Sequence, residues 1–145
     1  MRVVRRVDQP ATSTTVRELM GKSTACADPR QSLVDAAAEM RAHRTSALAV
    51  LDGDAIVGIV TERDLIRAIA DGRDPAATHV SQYMTHDPLT IEAGKLAAAA
   101  ATMMVKHRVR HIPVTDGGRL IGFLSARDLL ALTPQPLNLP IGESW

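Results

Sequence analysis

Two short stretches of the sequence place a hydroxyl side chain three residues before a carboxylate. They are residues 58–64 (GIVTERD) and residues 122–128 (GFLSARD). In each, an apolar run predicts a strand that passes directly into a helix. A helix start presents unpaired backbone N–H groups and a partial positive charge, which favour a bound anion such as phosphate. A carboxylate one turn later can accept hydrogen bonds from the two hydroxyls of a sugar diol. The residues concerned are Thr61 with Asp64, and Ser125 with Asp128.

The same two pairs are also typical of a helix capping box, with Asp in place of the usual Glu. Each cap would stabilise the fold by ~1 kcal/mol without any ligand. An N-cap residue can serve both purposes, so capping alone and ligand binding both remain open from the residues themselves.

The second stretch belongs to an internal duplication. An ungapped shift of 64 residues, which carries Asp64 onto Asp128, superposes equivalent residues along most of the chain. The matched pairs include Met20 with Met84, Ala36-Ala37 with Ala100-Ala101, Met40 with Met104, Asp52-Gly53 with Asp116-Gly117, and Gly58 with Gly122. Because glycines, turns and charges coincide in one register, the pattern indicates a repeat rather than chance similarity.

Hydrophobic periodicity predicts a β-α-β-β-α unit in each copy. In the first copy Ser32 is the predicted N-cap of a helix that buries Leu33, Ala36, Ala37 and Met40. Residues 46–51 and 55–60 are predicted strands joined by an Asp-Gly hairpin turn, and a helix is predicted over 61–70.

The fold class is therefore α+β, with two tandem repeats. A unit of about 50 residues is marginal by itself, so we expect the two copies to pack as one pseudo-twofold module. The predicted organisation is an N-terminal arm (1–13), a first repeat (14–74), a second repeat (75–132) and a Pro-rich C-terminal tail (133–145).

Composition narrows the function. A net charge of +1 and an aromatic content of 2% argue against a nucleic-acid binder. The single cysteine, Cys26, has no metal-ligand spacing and fits a reducing cytoplasm. No apolar run approaches the roughly 20 residues of a membrane helix, and no secretory signal is recognised, so a cytoplasmic location is expected. The residues contain no nucleophile–base pair, metal cluster or phosphate-transferring lysine loop, which predicts a protein that is not an enzyme and requires no cofactor or metal.

The repeated pattern resembles a tandem pair of CBS domains, a Bateman module, of the stand-alone type found in bacteria. The residues that carry the resemblance are the Ala-Ala and Met positions of each helix, the acidic-Gly turn, and the G-h-h-[T/S]-x-R-D-L run that closes each copy. The resemblance implies two clefts for adenosine-containing ligands such as AMP, ADP or ATP. Each cleft would take its ribose-binding Asp from one repeat and its base-binding strands from the other.

Carried over by position, the resemblance assigns eight residues to each cleft. The Asp64 cleft would comprise Ile59, Thr61, Asp64, Asp87, Leu89, Val109, Arg110 and His111. The Asp128 cleft would comprise Ser23, Ala25, Thr45, Ser46, Ala47, Phe123, Ser125 and Asp128. Because Arg110 and His111 correspond to Ser46 and Ala47, the Asp64 cleft is predicted to bind phosphorylated ligands more tightly.

The resemblance also implies a regulatory role. We expect a homodimer, a disc of four repeats, that senses an adenosine nucleotide and acts in trans on an effector protein whose identity is unknown. The alternative from another class is a structural dimerisation or scaffold module with empty clefts.

Overall fold

The computed structural model describes residues 13–132. The first repeat contains α1 (Val16–Leu19), β1 (Cys26–Ala27), α2 (Leu33–His43), β2 (Ala47–Asp52), β3 (Ala55–Thr61) and α3 (Glu62–Ala70). The second contains α4 (Val80–Tyr83), β4 (Thr85–His86), β5 (Ile91–Glu92), α5 (Ala97–His107), β6 (His111–Asp116), β7 (Arg119–Ser125) and a 3-10 helix (Asp128–Leu132). The predicted tail and all but the last residue of the predicted arm lie outside the described residues.

The predicted α+β class and the tandem repeats are confirmed. Helix α2 begins where the sequence indicated, because the Ser32 hydroxyl accepts a hydrogen bond from the Asp35 backbone N–H at 3.0 Å. Leu33, Ala36 and Met40 are buried, as expected. Ala37 is exposed, contrary to the prediction, because it lies at the edge of a buried stripe only one residue wide.

The duplication extends to the irregularities of the two sheets. In each repeat a parallel pair (β1–β2 or β5–β6) adjoins an antiparallel hairpin (β2–β3 or β6–β7). The ladder is irregular between Val50 and Leu51 in one hairpin, and between Val114 and Thr115 at the equivalent place in the other. The turn glycines Gly53 and Gly117 both have positive φ angles, 64° and 62°, which glycine adopts without steric cost.

Each sheet is completed by the segment that leads into the other repeat. Strand β4 of the second repeat pairs antiparallel with β3, so that Thr85 lies opposite Ile59. Reciprocally, Gly21 bridges to Phe123 of β7 through two backbone hydrogen bonds of 2.8 and 3.1 Å. The short helices accompany these segments. Helix α4 packs in the first core through Val80, Tyr83 and Met84, and α1 packs in the second core through Val16, Leu19 and Met20.

The last helix differs between the repeats. Helix α3 is α-helical over nine residues, whereas the equivalent segment of the second repeat is a five-residue 3-10 helix. The sequence beyond that segment contains Pro134. By the shift of 64 residues this proline matches Ala70, the last residue of α3, and it has no backbone N–H to donate. None of the helices within residues 13–132 is long and apolar enough to span a membrane.

Candidate functional site

Asp64 lies where β3 passes into α3, and its carboxylate is almost fully engaged by the protein. Its Oδ2 accepts a hydrogen bond from the Thr61 backbone N–H at 2.8 Å and lies 3.3 Å from the Thr61 hydroxyl. Its Oδ1 lies 2.7 Å from Nη1 of Arg67, one turn further along the helix. The residue is only 6% exposed. The predicted capping pair is therefore present, together with an ion pair that the cleft assignment did not contain.

Asp128 occupies the equivalent junction in the second repeat and is less enclosed. Its Oδ2 accepts from the Ser125 backbone N–H at 2.8 Å, and its own N–H donates to the Ser125 hydroxyl at 3.2 Å. Within residues 13–132 no group donates a hydrogen bond to its Oδ1. The side chain is partly exposed. As far as residues 13–132 are concerned, this carboxylate thus keeps one oxygen available for a ligand.

The starts of β2 and β6 connect the two repeats. The Ser46 hydroxyl lies 2.9 Å from Nε2 of His111, and these residues were assigned to opposite clefts. Their neighbourhoods are also tied to the helix starts, because the Glu62 N–H donates to the Ser46 carbonyl and the Ala126 N–H donates to the Arg110 carbonyl, at 3.0 and 2.8 Å. Part of the donor capacity of each helix start is therefore used within the protein.

The environment of His111 keeps its imidazole neutral. Burial lowers the pKa of His111 below its ordinary value, the neighbouring Arg110 guanidinium lowers it further, and the Asp128 carboxylate opposes both effects. At neutral pH the positive charge of this strand start therefore resides on Arg110, which is exposed. His111 also lies opposite Ser125 in the β6–β7 ladder, so it borders the Asp128 junction as well.

The exchanged segments place further predicted residues beside two pockets that do not contain the junction aspartates. The Asp87 N–H donates to the Val57 carbonyl at 3.2 Å, which holds the second repeat's segment against β3. Asp87 lines a pocket of about 400 Å³ with Thr90 and Glu92. Ser23 and Ala25 line a pocket of about 570 Å³ that is also bordered by Lys22, Cys26, Glu39 and His43. Asp64 and Asp128 line neither of these two pockets.

Several predicted residues contribute their side chains to the interior or to local structure. Ala25 and Ala47 are buried, and Val109 packs against the second core, so only their backbone groups can face a ligand. The Thr45 hydroxyl donates to the Ala47 carbonyl at 3.0 Å. Ile59 is 8% exposed, while Phe123 and Leu89 are partly exposed.

Sequence reasoning did not identify Arg67 and Tyr83 as members of this region. The spacing of Asp64 and Arg67, three residues apart on a predicted helix, was a usable signal for their ion pair. No signal indicated Tyr83, because it reaches the first repeat from the second. Within residues 13–132 no cluster of three or more His, Cys, Asp or Glu side chains could hold a metal ion.

Comparison with protein families matches the description "CBS domain" at residues 16–71 and again at 80–134. The CBS domain-containing protein CBSCBSPB2 of Arabidopsis thaliana is 35% identical over 76% of this chain, which spans only 21% of that much longer protein. The CBS domain-containing protein YhcV of Bacillus subtilis is 29% identical over 79% of this chain and 82% of its own length.

Solved structures of the same fold include a putative signal-transduction protein with CBS domains from Burkholderia ambifaria. It is 36% identical, with a TM-score of 0.76, over 81% of this chain and 91% of that one. The CBS domain pair of protein MJ0100 was solved in complex with 5′-methylthioadenosine and S-adenosyl-L-methionine. That pair is 25% identical, with a TM-score of 0.75, over 82% of this chain and 98% of that one.

Proposed function

Because this chain belongs to the CBS domain family, whose paired domains are regulatory ligand-binding modules, we propose that it senses adenosine-containing ligands such as AMP, ADP or ATP. The ligands would bind in the Asp64 and Asp128 clefts. The observation that carries the proposal is the capped carboxylate that recurs at the two strand–helix junctions, each beside a segment exchanged from the other repeat.

The chemistry of the Asp128 junction suits a nucleoside. Oδ1, which receives no hydrogen bond from the described residues, can accept hydrogen bonds from the 2′- and 3′-hydroxyls of ribose, and Ser125 adds a hydroxyl beside it. Backbone groups near Ser23, Ala25 and Ala47 can recognise an adenine edge, although two of these side chains are buried. The adenosine compounds bound by the similar MJ0100 pair support this ligand class.

Thermal unfolding with added nucleotides tests the proposal. A ligand at 100 times its Kd stabilises the folded state by about 2.7 kcal/mol, so AMP, ADP, ATP or 5′-methylthioadenosine should raise the melting temperature saturably. GMP serves as the control for the base. 2′-Deoxy-AMP serves as the control for the diol, and it should bind more weakly because one hydroxyl that meets the carboxylate is missing. A flat response to all adenosine compounds would contradict the proposal.

The proposed module acts on an effector protein in trans and forms a homodimer. Ligand binding can shift such a regulator between two arrangements only if the arrangements differ in ligand affinity. Light scattering with and without AMP measures the oligomeric state and any change in it. A monomer under both conditions would contradict the dimer.

The second candidate is a structural dimerisation module with empty clefts. The observation that favours it is the engagement of both Asp64 oxygens by Thr61 and Arg67, which the fold maintains without any ligand. The nucleotide melts distinguish the two candidates, because a scaffold gives no saturable stabilisation.

A further inference from the structure

We propose that Arg67 latches the Asp64 carboxylate and makes the two clefts unequal, so that an uncharged adenosine compound occupies the Asp128 cleft first. The inference rests on the proposed function and names how its two sites are ranked. Two of the residues that carry it, Arg67 and Tyr83, were not part of the cleft assignment.

The latch is an ion pair with one enclosed partner. Oδ1 of Asp64 lies 2.7 Å from Nη1 of Arg67, and the side chains are 9% and 55% exposed, respectively. Charge-assisted hydrogen bonds of this length are among the stronger ones in proteins. Because Oδ2 already accepts from Thr61, each oxygen of Asp64 has a protein donor before a ligand arrives.

Arg67 is itself held in place from the other repeat. Its guanidinium lies over the ring of Tyr83, with Cζ 5.3 Å from the ring centroid, a cation–π geometry. Tyr83 is buried in the first core, and its hydroxyl donates to Oδ2 of Asp71 at 2.7 Å. The Tyr83 ring, which belongs to the second repeat, therefore positions the guanidinium. Because of this contact, the pairing with Asp64 does not depend on an unconstrained surface rotamer.

In the part of the second repeat that the structure describes, no such latch is present. The shift of 64 residues places Ala131 at the position of Arg67 and Leu19 at the position of Tyr83. Neither side chain can donate to a carboxylate or stack a cation. Accordingly, Oδ1 of Asp128 receives no hydrogen bond within residues 13–132. The asymmetry thus coincides with differences between the repeats at these two positions.

A ribose diol meets different states at the two junctions. At Asp128 it finds an acceptor that no group of residues 13–132 occupies, whereas at Asp64 it must displace Arg67 or share the acceptor with it. Displacing the Arg67 hydrogen bond to the Asp64 carboxylate should make binding at the Asp64 cleft weaker than at the Asp128 cleft by about tenfold or more. For a phosphorylated ligand the exposed Arg110 adds an attraction at the Asp64 cleft, so the latch is best measured with an uncharged ligand.

The experiment is calorimetric titration with 5′-methylthioadenosine, which carries no phosphate. In an Asp128→Asn background, only the Asp64 cleft remains intact. Adding Arg67→Gln to this background should tighten binding about tenfold, because the competing donor is removed. Arg63→Gln is the matched control: it makes the same change of charge on the same helix at an exposed arginine that forms no ion pair within residues 13–132. It should leave the affinity unchanged. In the otherwise unchanged protein, Asp64→Asn should preserve the tighter binding event and Asp128→Asn should remove it.

Two results would overturn the inference while leaving the proposed function intact. They are equal affinities with and without Arg67→Gln, and loss of the tighter event in Asp64→Asn. If 5′-methylthioadenosine and the nucleotides do not bind at all, the proposed function fails and the ranking fails with it. Carbon-13 NMR of the aspartate carboxyl groups then shows which part survives. A shift of the Asp64 signal, but not of the Asp128 signal, in Arg67→Gln demonstrates the ion pair independently of any ligand.

Discussion

Gly122→Ala should destabilise the protein through the reciprocal exchange. A Cβ at this position would lie 2.1 Å from the carbonyl oxygen of Gly21 and 3.3 Å from its carbonyl carbon. Both are backbone atoms of the exchanged segment, so no side-chain rotation relieves the contact. The segment must move away from β7, and part of the packing of α1 against the second core is lost.

The size of the effect depends on the contacts that the displacement breaks. The two hydrogen bonds between Gly21 and Phe123 contribute about 1 kcal/mol each. Partial exposure of Val16, which is 0% exposed and packs in the second core, costs about 2 kcal/mol more. Alanine also lowers the conformational entropy of the unfolded chain, which stabilises the folded state by roughly 0.5–1 kcal/mol and offsets part of this loss. The expected net loss is about 3 kcal/mol of unfolding free energy.

Urea denaturation followed by far-UV circular dichroism measures the loss, with two glycine variants for comparison. Gly94→Ala meets no atom within 4 Å, so its stability should stay the same or rise slightly. Gly58→Ala meets Met84 Sδ at 2.5 Å and the Thr85 carbonyl oxygen at 2.9 Å. The methionine side chain can rotate away, and the Thr85 carbonyl oxygen, a backbone atom, needs to shift only slightly, so this variant should lose less, about 1–2 kcal/mol. If Gly122→Ala were as stable as Gly94→Ala, the close approach of Gly21 to β7 would be refuted.

Two further predictions concern a helix cap and a histidine. Ser32→Ala should lower the unfolding free energy by ~1 kcal/mol, because the Asp35 N–H loses its acceptor. Leu96→Ser should raise it by roughly 0.5–1 kcal/mol, because α5 begins without a side-chain cap. Equal melting temperatures for the two variants would contradict both expectations. Since burial holds the folded-state pKa of His111 below its unfolded value near 6.5, its contribution to stability is fully present above that pH and is lost as the pH falls through the folded-state pKa. The unfolding free energy should therefore decline more steeply on acidification in the unaltered protein than in His111→Gln, with exposed His107→Gln as the control; parallel pH profiles for His111→Gln and the unaltered protein would refute the argument.

The local features of this protein could be predicted from its amino-acid sequence alone. The Asp-Gly turns, the Ser32 cap and the capping boxes depend on residues a few positions apart, and the structure contains them all. The duplication could also be detected, because comparing the sequence with itself at an ungapped shift does not require knowing which strands pair. It led to the two-repeat α+β architecture and to the resemblance to CBS domains.

The sequence did not predict that the last helix of the second repeat would differ from that of the first. Residues 61–64 and 125–128 have similar sequences, yet one opens an α-helix and the other a 3-10 helix. A motif comparison that stops at the matching aspartates does not register this difference.

The contacts between the repeats could not be predicted in this way and follow from the three-dimensional packing. Gly21 pairs with Phe123, Ser46 with His111, and Arg67 with the ring of Tyr83. These contacts bring together residues from different repeats, and hydrophobic periodicity, which specifies the face an element buries, does not specify which sheet it buries that face against. The candidate site inherits this division. The carboxylates and the neighbouring Arg67 could be read from the sequence, whereas the Tyr83 ring, which contacts the Arg67 guanidinium from the other repeat, is supplied only by the fold.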